Sequence, residues 1–218
     1  MNEHHEANGA LFIAEDDMIV RWERAERKKF EPETTNWLFN ELRQRSGTFV
    51  DVGAGTGWFS IPVRQGGHAV IAFEPNPAVR KRLRENMRLN GVKFAVVSAA
   101  ASAERGVATF YHNPRVPLTS GGSIQAPTCH APQTLAVQKV TIDETCADCD
   151  VAMIKIDVEG HEMSVLAGAA ETIRRCRPFL MLEANTAKHR TELDGWLKAN
   201  GYVWRQADER NMLCAPAS

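Results

Sequence analysis

Val50-Asp51-Val52-Gly53-Ala54-Gly55-Thr56-Gly57-Trp58 follows a short β-prone run and opens a helical one. Its alternating glycines let the backbone turn tightly and come close to a ligand. The helix start behind them supplies unpaired N–H groups. A dinucleotide site needs G-x-G-x-x-G/A, because the third small residue lets helix and strand pack closely. Counted from Gly53, that third position is Trp58, and a large indole does not fit the role. A P-loop is excluded as well, since no Gly-Lys-Ser/Thr follows. What remains is D-x-G-x-G-x-G, with Asp51 ahead of the first glycine.

The next β-prone run, His68 to Phe73, ends at Glu74-Pro75-Asn76, and Glu74 stands 21 residues after Gly53. That is where an acidic residue accepts hydrogen bonds from both ribose hydroxyls. Either feature alone is ordinary: a glycine-rich turn, or a solvated helix cap. In this order and spacing they read as a nucleoside site. An Asp ahead of the first glycine, here Asp51, is the pattern of S-adenosyl-L-methionine sites, in which the glycines receive the amino-acid part of the cofactor and no diphosphate has to be neutralised.

Around this core the chain alternates helical and β-rich segments. Helices are expected over Asp16 to Lys29, Pro32 to Arg45, from Trp58, Asn76 to Asn90, Glu162 to Arg175 and Thr191 to Asn200. Strands are expected at Thr48 to Val52, His68 to Phe73, Phe94 to Val97, Ala108 to Tyr111, Leu135 to Val140, Val151 to Ile156 and Phe179 to Glu183, with a closing hairpin from Tyr202 to Arg205 and Met212 to Cys214. Runs such as Val151-Ala152-Met153-Ile154 suit strands buried on both faces. The expectation is an α/β, Rossmann-like, mostly parallel doubly wound sheet with antiparallel C-terminal edge strands. Residues 1–46 read as an N-terminal helical extension and 47–218 as the ligand-binding domain. The stretch from His112 to Gln133 holds four prolines and Gly121-Gly122 and reads as a long functional loop.

A second cluster follows the apolar strand: Asp157-Val158-Glu159-Gly160-His161-Glu162. Open α/β sheets bind ligands at the C-terminal ends of their strands, so these groups belong at the same rim as Gly53 to Gly57. They could transfer a proton, with His161 or Glu159 as base and Asp157 as organiser. A divalent ion held by carboxylates and imidazole is the alternative chemistry, and no metal ligand is assigned. The plain structural alternative is that Glu162 caps the next helix and His161 lies on the surface.

Taken together, VDVGAGTGWFS, AFEPNP, a helix ending ENMRLNG, TIDE, IKIDVEGHE, VLAGA and RPFLMLE resemble the FkbM family of S-adenosylmethionine-dependent methyltransferases. The resemblance runs from about Gly47 to Glu183, with a weaker echo in GYVW and NMLCAP. It implies the class I methyltransferase fold and O-methylation of a hydroxyl on a sugar or other natural product. By motif match the cofactor-binding set is Asp51, Gly53, Ala54, Gly55, Gly57, Glu74 and Pro75, with Ala99 and Ala100 bordering the adenine and Asp157 near the methionine end. Asp157, Glu159 and His161 form the catalytic set, His161 standing at the motif's variable position. Glu183 matches the family's late strand-end carboxylate. An RNA or peptide acceptor, or a non-catalytic homologue, are the alternatives.

Composition supports this class. The chain has 218 residues, 26 Lys+Arg against 27 Asp+Glu, and a net charge of -1. That balance argues against a duplex-binding partner, and the basic residues Arg80, Lys81, Arg82, Arg84 and Arg88 read as a solvated helix face. No apolar run reaches membrane-spanning length, and MNEHHEANGA has no signal-like apolar region. Five cysteines, including Cys146 and Cys149 in C-x-x-C spacing, suit a reducing, cytoplasmic setting. Zinc there would need further ligands, with Cys129-His130 the nearest candidates. The expected partner is a small-molecule hydroxyl acceptor, with no membrane. Trp22 and Trp37 could pack on the core or on a second subunit.

Overall fold

The computed structural model describes residues 3–14, 17–113, 122–125 and 132–217. It opens with β1 (His4–Ala7) and β2 (Ala10–Ile13), then α1 (Met18–Glu26), α2 (Pro32–Gln44), β3 (Thr48–Val52), α3 (Ser60–Gln65), β4 (Ala69–Phe73), α4 (Pro77–Leu89) and β5 (Ala95–Val97). There follow β6 (Ala100–Ala101), β7 (Gly106–His112), β8 (Gln133–Val140), α5 (Ile142–Thr145), β9 (Val151–Ile156), α6 (Glu162–Ala167) and α7 (Ala170–Cys176). The chain closes with β10 (Phe179–Glu183), α8 (Ala187–Ala199), β11 (Tyr202–Gln206) and β12 (Asn211–Pro216).

Seven strands form the central sheet in the order β11-β12-β10-β9-β3-β4-β5. The pairs from β10 through β5 are parallel, and β12 runs antiparallel to both of its neighbours. The one reversed strand therefore sits inside the edge, and β11 restores the parallel direction at the rim. The chain leaves β3 toward β4 on one side and returns beside it as β9 on the other. The crevice for a ligand lies at this switch point, beyond the strand ends.

The period-two pattern of the strands splits the core into two layers. Val50, Val52, Ile154, Ile156, Leu180 and Leu182 pack on one face with Val165, Leu166, Ile173, Leu193 and Leu197. Phe49, Met153 and Met181 face the other way, with Leu38, Leu42, Phe12, Trp58, Ile61 and Leu83. Lys155 pairs across the strands with Asp51, so both side chains belong to this second face.

Three expectations change. The first residues contain a strand pair and not only helices: β1 and β2 form an antiparallel hairpin. Phe12, fully buried, stacks on Trp58 at 4.8 Å between ring centroids. Trp58 thus serves as the anchor for this hairpin. The expected helix from Glu162 to Arg175 is two, α6 and α7, separated at Gly168 and Ala169. The segment after His112 starts and ends in strands, because β7 and β8 pair along their length and β6 joins them in a separate three-stranded sheet. Pro114, Pro117, Gly121 and Pro127 lie outside the described residues, as do Cys129 and His130.

Of the lesser signals, Arg80 is half-buried and donates to the Glu74 carbonyl at 2.8 Å, unlike the exposed Lys81, Arg84 and Arg88. Cys146 is buried, and burial pushes its thiol up to about 12. Trp37 packs edge-on against Phe179 at 5.7 Å. Among the described residues, no helix is long and apolar enough to cross a membrane.

Phe12→Ala removes a ring that the Trp58 face packs against. We expect it to lower unfolding free energy in a denaturant titration by about 3–5 kcal/mol. A loosely attached tail would show a change near zero.

Candidate active site

The glycine turn is built by close backbone approach. The N–H groups of Gly53 and Ala54 both donate to the Phe73 carbonyl, at 3.0 and 3.1 Å. Gly53 has φ 78°, and a Cβ there would stand 1.9 Å from the Asp157 carbonyl oxygen. Only glycine lets the ends of β3 and β9 meet so closely. A Cβ on Gly55 would meet nothing within 4 Å, whereas one on Gly57 would strike Leu83 at 2.6 Å. Gly55 therefore faces open space, and Gly57 exists for packing against α4.

Glu74 ends β4. Its Oε2 accepts from the Gly55 N–H at 3.1 Å and its Oε1 from the Asn76 N–H at 2.8 Å. Burial pushes this carboxyl up to about 7, against those hydrogen bonds. Each oxygen keeps a further lone pair for a ligand hydroxyl.

A cleft of about 320 Å³ lies beside this carboxylate, lined by Gly53, Gly55, Phe73, Glu74, Pro75 and Ala99 to Ala101. The small sheet contributes Phe110, and Ser123 and Ile124 close the same side. A Cβ on Gly122 would stand 2.2 Å from the Phe110 ring, so a glycine is required for that cover. Phe110, Gly122, Ser123 and Ile124 lay within or beside the proline-rich stretch, where sequence offered no chemical signal.

A second, larger chamber of about 930 Å³ adjoins the cleft and shares Gly53, Gly55, Asp157 and Glu159 with it. Its apolar side carries Trp22, Phe30, Trp58 and Phe59, and its polar side Glu31, Lys155, Glu183 and Arg210. Ala54 borders this chamber. Asp157 and Glu159 thus stand where the two cavities meet.

Buried charges organise that junction. Lys155 Nζ, on a side chain 6 % exposed, lies 3.0 Å from Asp157 Oδ2 and 3.9 Å from Asp51 Oδ1. Burial alone would disfavour its charge; the two carboxylates reverse that and hold the ammonium well above its usual range. Asp51 is buried, and its Oδ2 accepts from Ser60 Oγ at 2.6 Å. It braces the glycine turn and is not among the residues lining the two cavities, although the motif match places it in the cofactor-binding set.

Glu183 takes Arg210 Nη1 at 3.1 Å and Asn185 Nδ2 at 3.0 Å. Burial and the neighbouring Asp157 push Glu183 up to about 10. Burial also opposes charge on Asp157, but Lys155 outweighs it and Asp157 falls below its ordinary value. So Glu183 keeps the proton and Asp157 stays anionic. Asp157, Glu159 and Glu183 each bring an oxygen within 4.8 Å of the others. Glu183 takes the place in this group that the sequence reading gave to His161 and Glu162, and Lys155 and Arg210 already bind two of its members.

His161 goes elsewhere. Glu159 and Gly160 both take positive φ, 55° and 99°, which reverses the chain. His161 then borders the smaller cleft only, with Nε2 3.1 Å from Ser102 Oγ and Nδ1 3.2 Å from Gln125 Oε1. Burial lowers its pKa, and Lys139 adds to this. Glu162 is wholly buried; its Oε1 accepts from the N–H groups of Val158 and Gly160, and its Oε2 lies 3.1 Å from His189 Nε2. It fixes the turn rather than facing a ligand.

A family model described as the methyltransferase FkbM domain matches residues 51–204. Among solved structures, an FkbM methyltransferase from Methylobacillus flagellatus KT aligns at TM-score 0.56 and 19% identity, over 78% of this chain and 43% of that one. The chain therefore spans less than half of that protein's length. The magnesium protoporphyrin IX methyltransferase of Synechocystis PCC 6803, solved with bound SAM, aligns at 0.54 and 13% identity over 93% of this chain and 85% of that one. A precorrin-6y C5,15-methyltransferase from Geobacter metallireducens GS-15 aligns at 0.52 and 15% identity, over 84% and 86% respectively. No curated protein matches the chain.

Replacing Lys155 by Met would leave Asp51 and Asp157 facing each other without a counter-charge. We expect Lys155→Met to cost about 3–5 kcal/mol of unfolding free energy. Adding Asp51→Asn should restore part of that loss in the same denaturant titration. An unchanged midpoint for the single variant would mean that the ion cluster does not hold the strand ends.

Proposed function

The chain belongs to the FkbM methyltransferase family, and on that premise we propose that it moves a methyl group from S-adenosylmethionine to a hydroxyl oxygen of a small molecule. The observation that carries this reading is the junction of two cavities at Gly53, Gly55, Asp157 and Glu159. One cavity is fitted to a nucleoside and the other is large enough for an acceptor. The bound SAM of the Synechocystis structure, which shares the fold, supports the choice of cofactor.

The residues suit that cofactor. Glu74 offers two oxygens to ribose hydroxyls, and Gly55 leaves the open approach that the amino-acid arm needs. Ala99 to Ala101, Phe73, Phe110 and Ile124 give apolar walls for a base to lie against. When bound, the cofactor supplies a methyl already activated by a positive sulfur. This chain's residues then hold, orient and exclude water. The anion of Asp157, fixed by Lys155, lies at the mouth of the cleft, where it favours a cationic ligand group. Alignment of an acceptor in the adjoining chamber can supply much of the acceleration.

A hydroxyl acceptor is proposed because the chamber's polar side presents carboxyl groups able to receive its proton. Glu159 sits at the junction with its Oε2 on Asn185 Nδ2 at 3.1 Å, and burial, with Asp157, raises its pKa. His161 borders the nucleoside cleft and not the acceptor chamber, so a chamber carboxylate is the better-placed base.

Calorimetric titration with S-adenosylmethionine, with NAD as control, should give binding of the first alone. Glu74→Ala should weaken it by about 10–100-fold, the scale of hydrogen bonds to a charged group. Glu74 is neutral below about 7 and anionic above, so wild-type affinity should rise as pH climbs through that value. Equal binding of NAD, or unchanged affinity in Glu74→Ala, would contradict the assignment.

A further inference from the structure

The two cavities differ in the origin of their walls. The larger is closed on one side by Met18 to Glu33, which lies ahead of residues 51–204 matched by the family. There Trp22 meets Phe30 edge-on at 5.8 Å, and Phe30 meets Trp58 edge-on at 6.1 Å. Trp22 is 41% exposed. A large apolar surface left open beside a chamber of about 930 Å³ suits an apolar ligand body.

Glu31 stands in the same wall. It precedes α2 in the left-handed region, φ 43° and ψ 58°, a conformation that strains a non-glycine residue and concentrates at functional sites. Its side chain is only 13 % exposed, with Arg210 Nη2 at 3.9 Å. The other groups around it are Lys155 and Asp157 at the end of β9, Asp208 in the β11–β12 turn, and the amide of Asn211, which donates to it. Arg210 is shared with Glu183 on β10, and Glu159 borders the chamber from the β9–α6 turn. Asp157, Glu159 and Glu183 hold close polar partners at 3.0 to 3.1 Å. Glu31 takes the Asn211 amide, but its cation is more distant, so its carboxylate keeps lone pairs for a ligand hydroxyl.

We propose that the chamber seats an uncharged ring compound on Trp22 and Phe30, with Trp58 buried behind Phe30 as their support, and that its hydroxyl donates to Glu31, which takes the proton during transfer. The inference rests on the methyl-transfer reading above. The acceptor oxygen forms the new C–O bond with its own electron pair, the C–S bond breaks with its pair remaining on sulfur, and the O–H proton passes to Glu31. Positive sulfur becomes neutral and the carboxylate becomes carboxylic acid, so charge balances. Anionic compounds are disfavoured: among the described residues, seven carboxyl groups and four basic groups line the chamber, and the innermost cation, Lys155, is already paired with Asp157. Burial and the neighbouring Asp157 push Glu31 up to about 7, a suitable value for a base near neutral pH.

The test uses the full chain saturated with S-adenosylhomocysteine at every pH and 2-naphthol as probe, read by tryptophan quenching. Glu31 is neutral below about 7 and anionic above, and a hydroxyl donates more strongly to the anion. Affinity for 2-naphthol should therefore rise about 5-fold between about pH 6 and pH 8. Glu31→Gln should flatten that rise, and Trp22→Ala should weaken binding about 10-fold. 2-Naphthoate should bind at least about 10-fold more weakly than 2-naphthol. A flat wild-type profile, the same rise in Glu31→Gln, equal binding of 2-naphthoate, or no quenching would overturn the proposal. Calorimetry with S-adenosylhomocysteine alone separates the two levels. If it does not bind, the methyl-transfer reading fails; if it binds and 2-naphthol does not, only the present inference fails.

Discussion

Lys155 is the charge on which the site depends. It lies within an otherwise apolar strand and is almost wholly buried, yet the Asp51 and Asp157 carboxylates on either side keep it ionised. Phe59 covers it, with the ammonium 5.4 Å from the ring centroid. Because β3 and β9 are neighbours, this triad ties together the two strand ends that carry the glycine turn and the acidic turn. Gly53 completes the closure by letting the Asp157 carbonyl come within what would be bonding distance of a side chain. A buried ion cluster is weak evidence for stability, since desolvation offsets much of the attraction. Its value here is positional: it holds an anion at the mouth of the cleft and leaves the neighbouring Glu183 protonated.

The N-terminal segment is structural for the same site. Asp17 Oδ2 accepts from Thr56 Oγ1 at 2.7 Å, inside the glycine turn, and Asn86 Nδ2 donates to the Thr56 carbonyl at 3.0 Å. Asn86 Oδ1 in turn accepts from the Ile13 N–H at 3.0 Å. Hairpin, glycine turn and α4 therefore form one hydrogen-bonded unit. The wall of the larger chamber is attached to the loop that shapes the smaller one.

Much of this was legible in the sequence. The Gly53–Gly57 turn, Glu74 at the next strand end and Asp157 after Val151-Ala152-Met153-Ile154 follow from backbone sterics and strand periodicity, and they meet at one rim. Other placements depend on distant contacts. Trp58 excluded a dinucleotide turn but gave no sign that it would receive Phe12. His161 stands four residues after Asp157, yet two consecutive positive-φ residues send it to Ser102. Asp51 alternates with Val50 and Val52, so pleat geometry turns it toward Lys155; that consequence of period two could have been drawn from Lys155 itself, a lone cation in an apolar strand. Glu31 carries no local signal, because its burial comes from the β11–β12 turn packed far away in sequence.

The central claim is that the two cavities are one reaction path meeting at Asp157 and Glu159. A crystal structure of the full chain with S-adenosylhomocysteine tests it most directly. The account predicts ribose hydroxyls on the Glu74 carboxylate and the sulfur at the opening toward Trp22, Phe30 and Glu31. A sulfur directed toward His161 and Ser102, or a ligand bound away from Glu74, would contradict it.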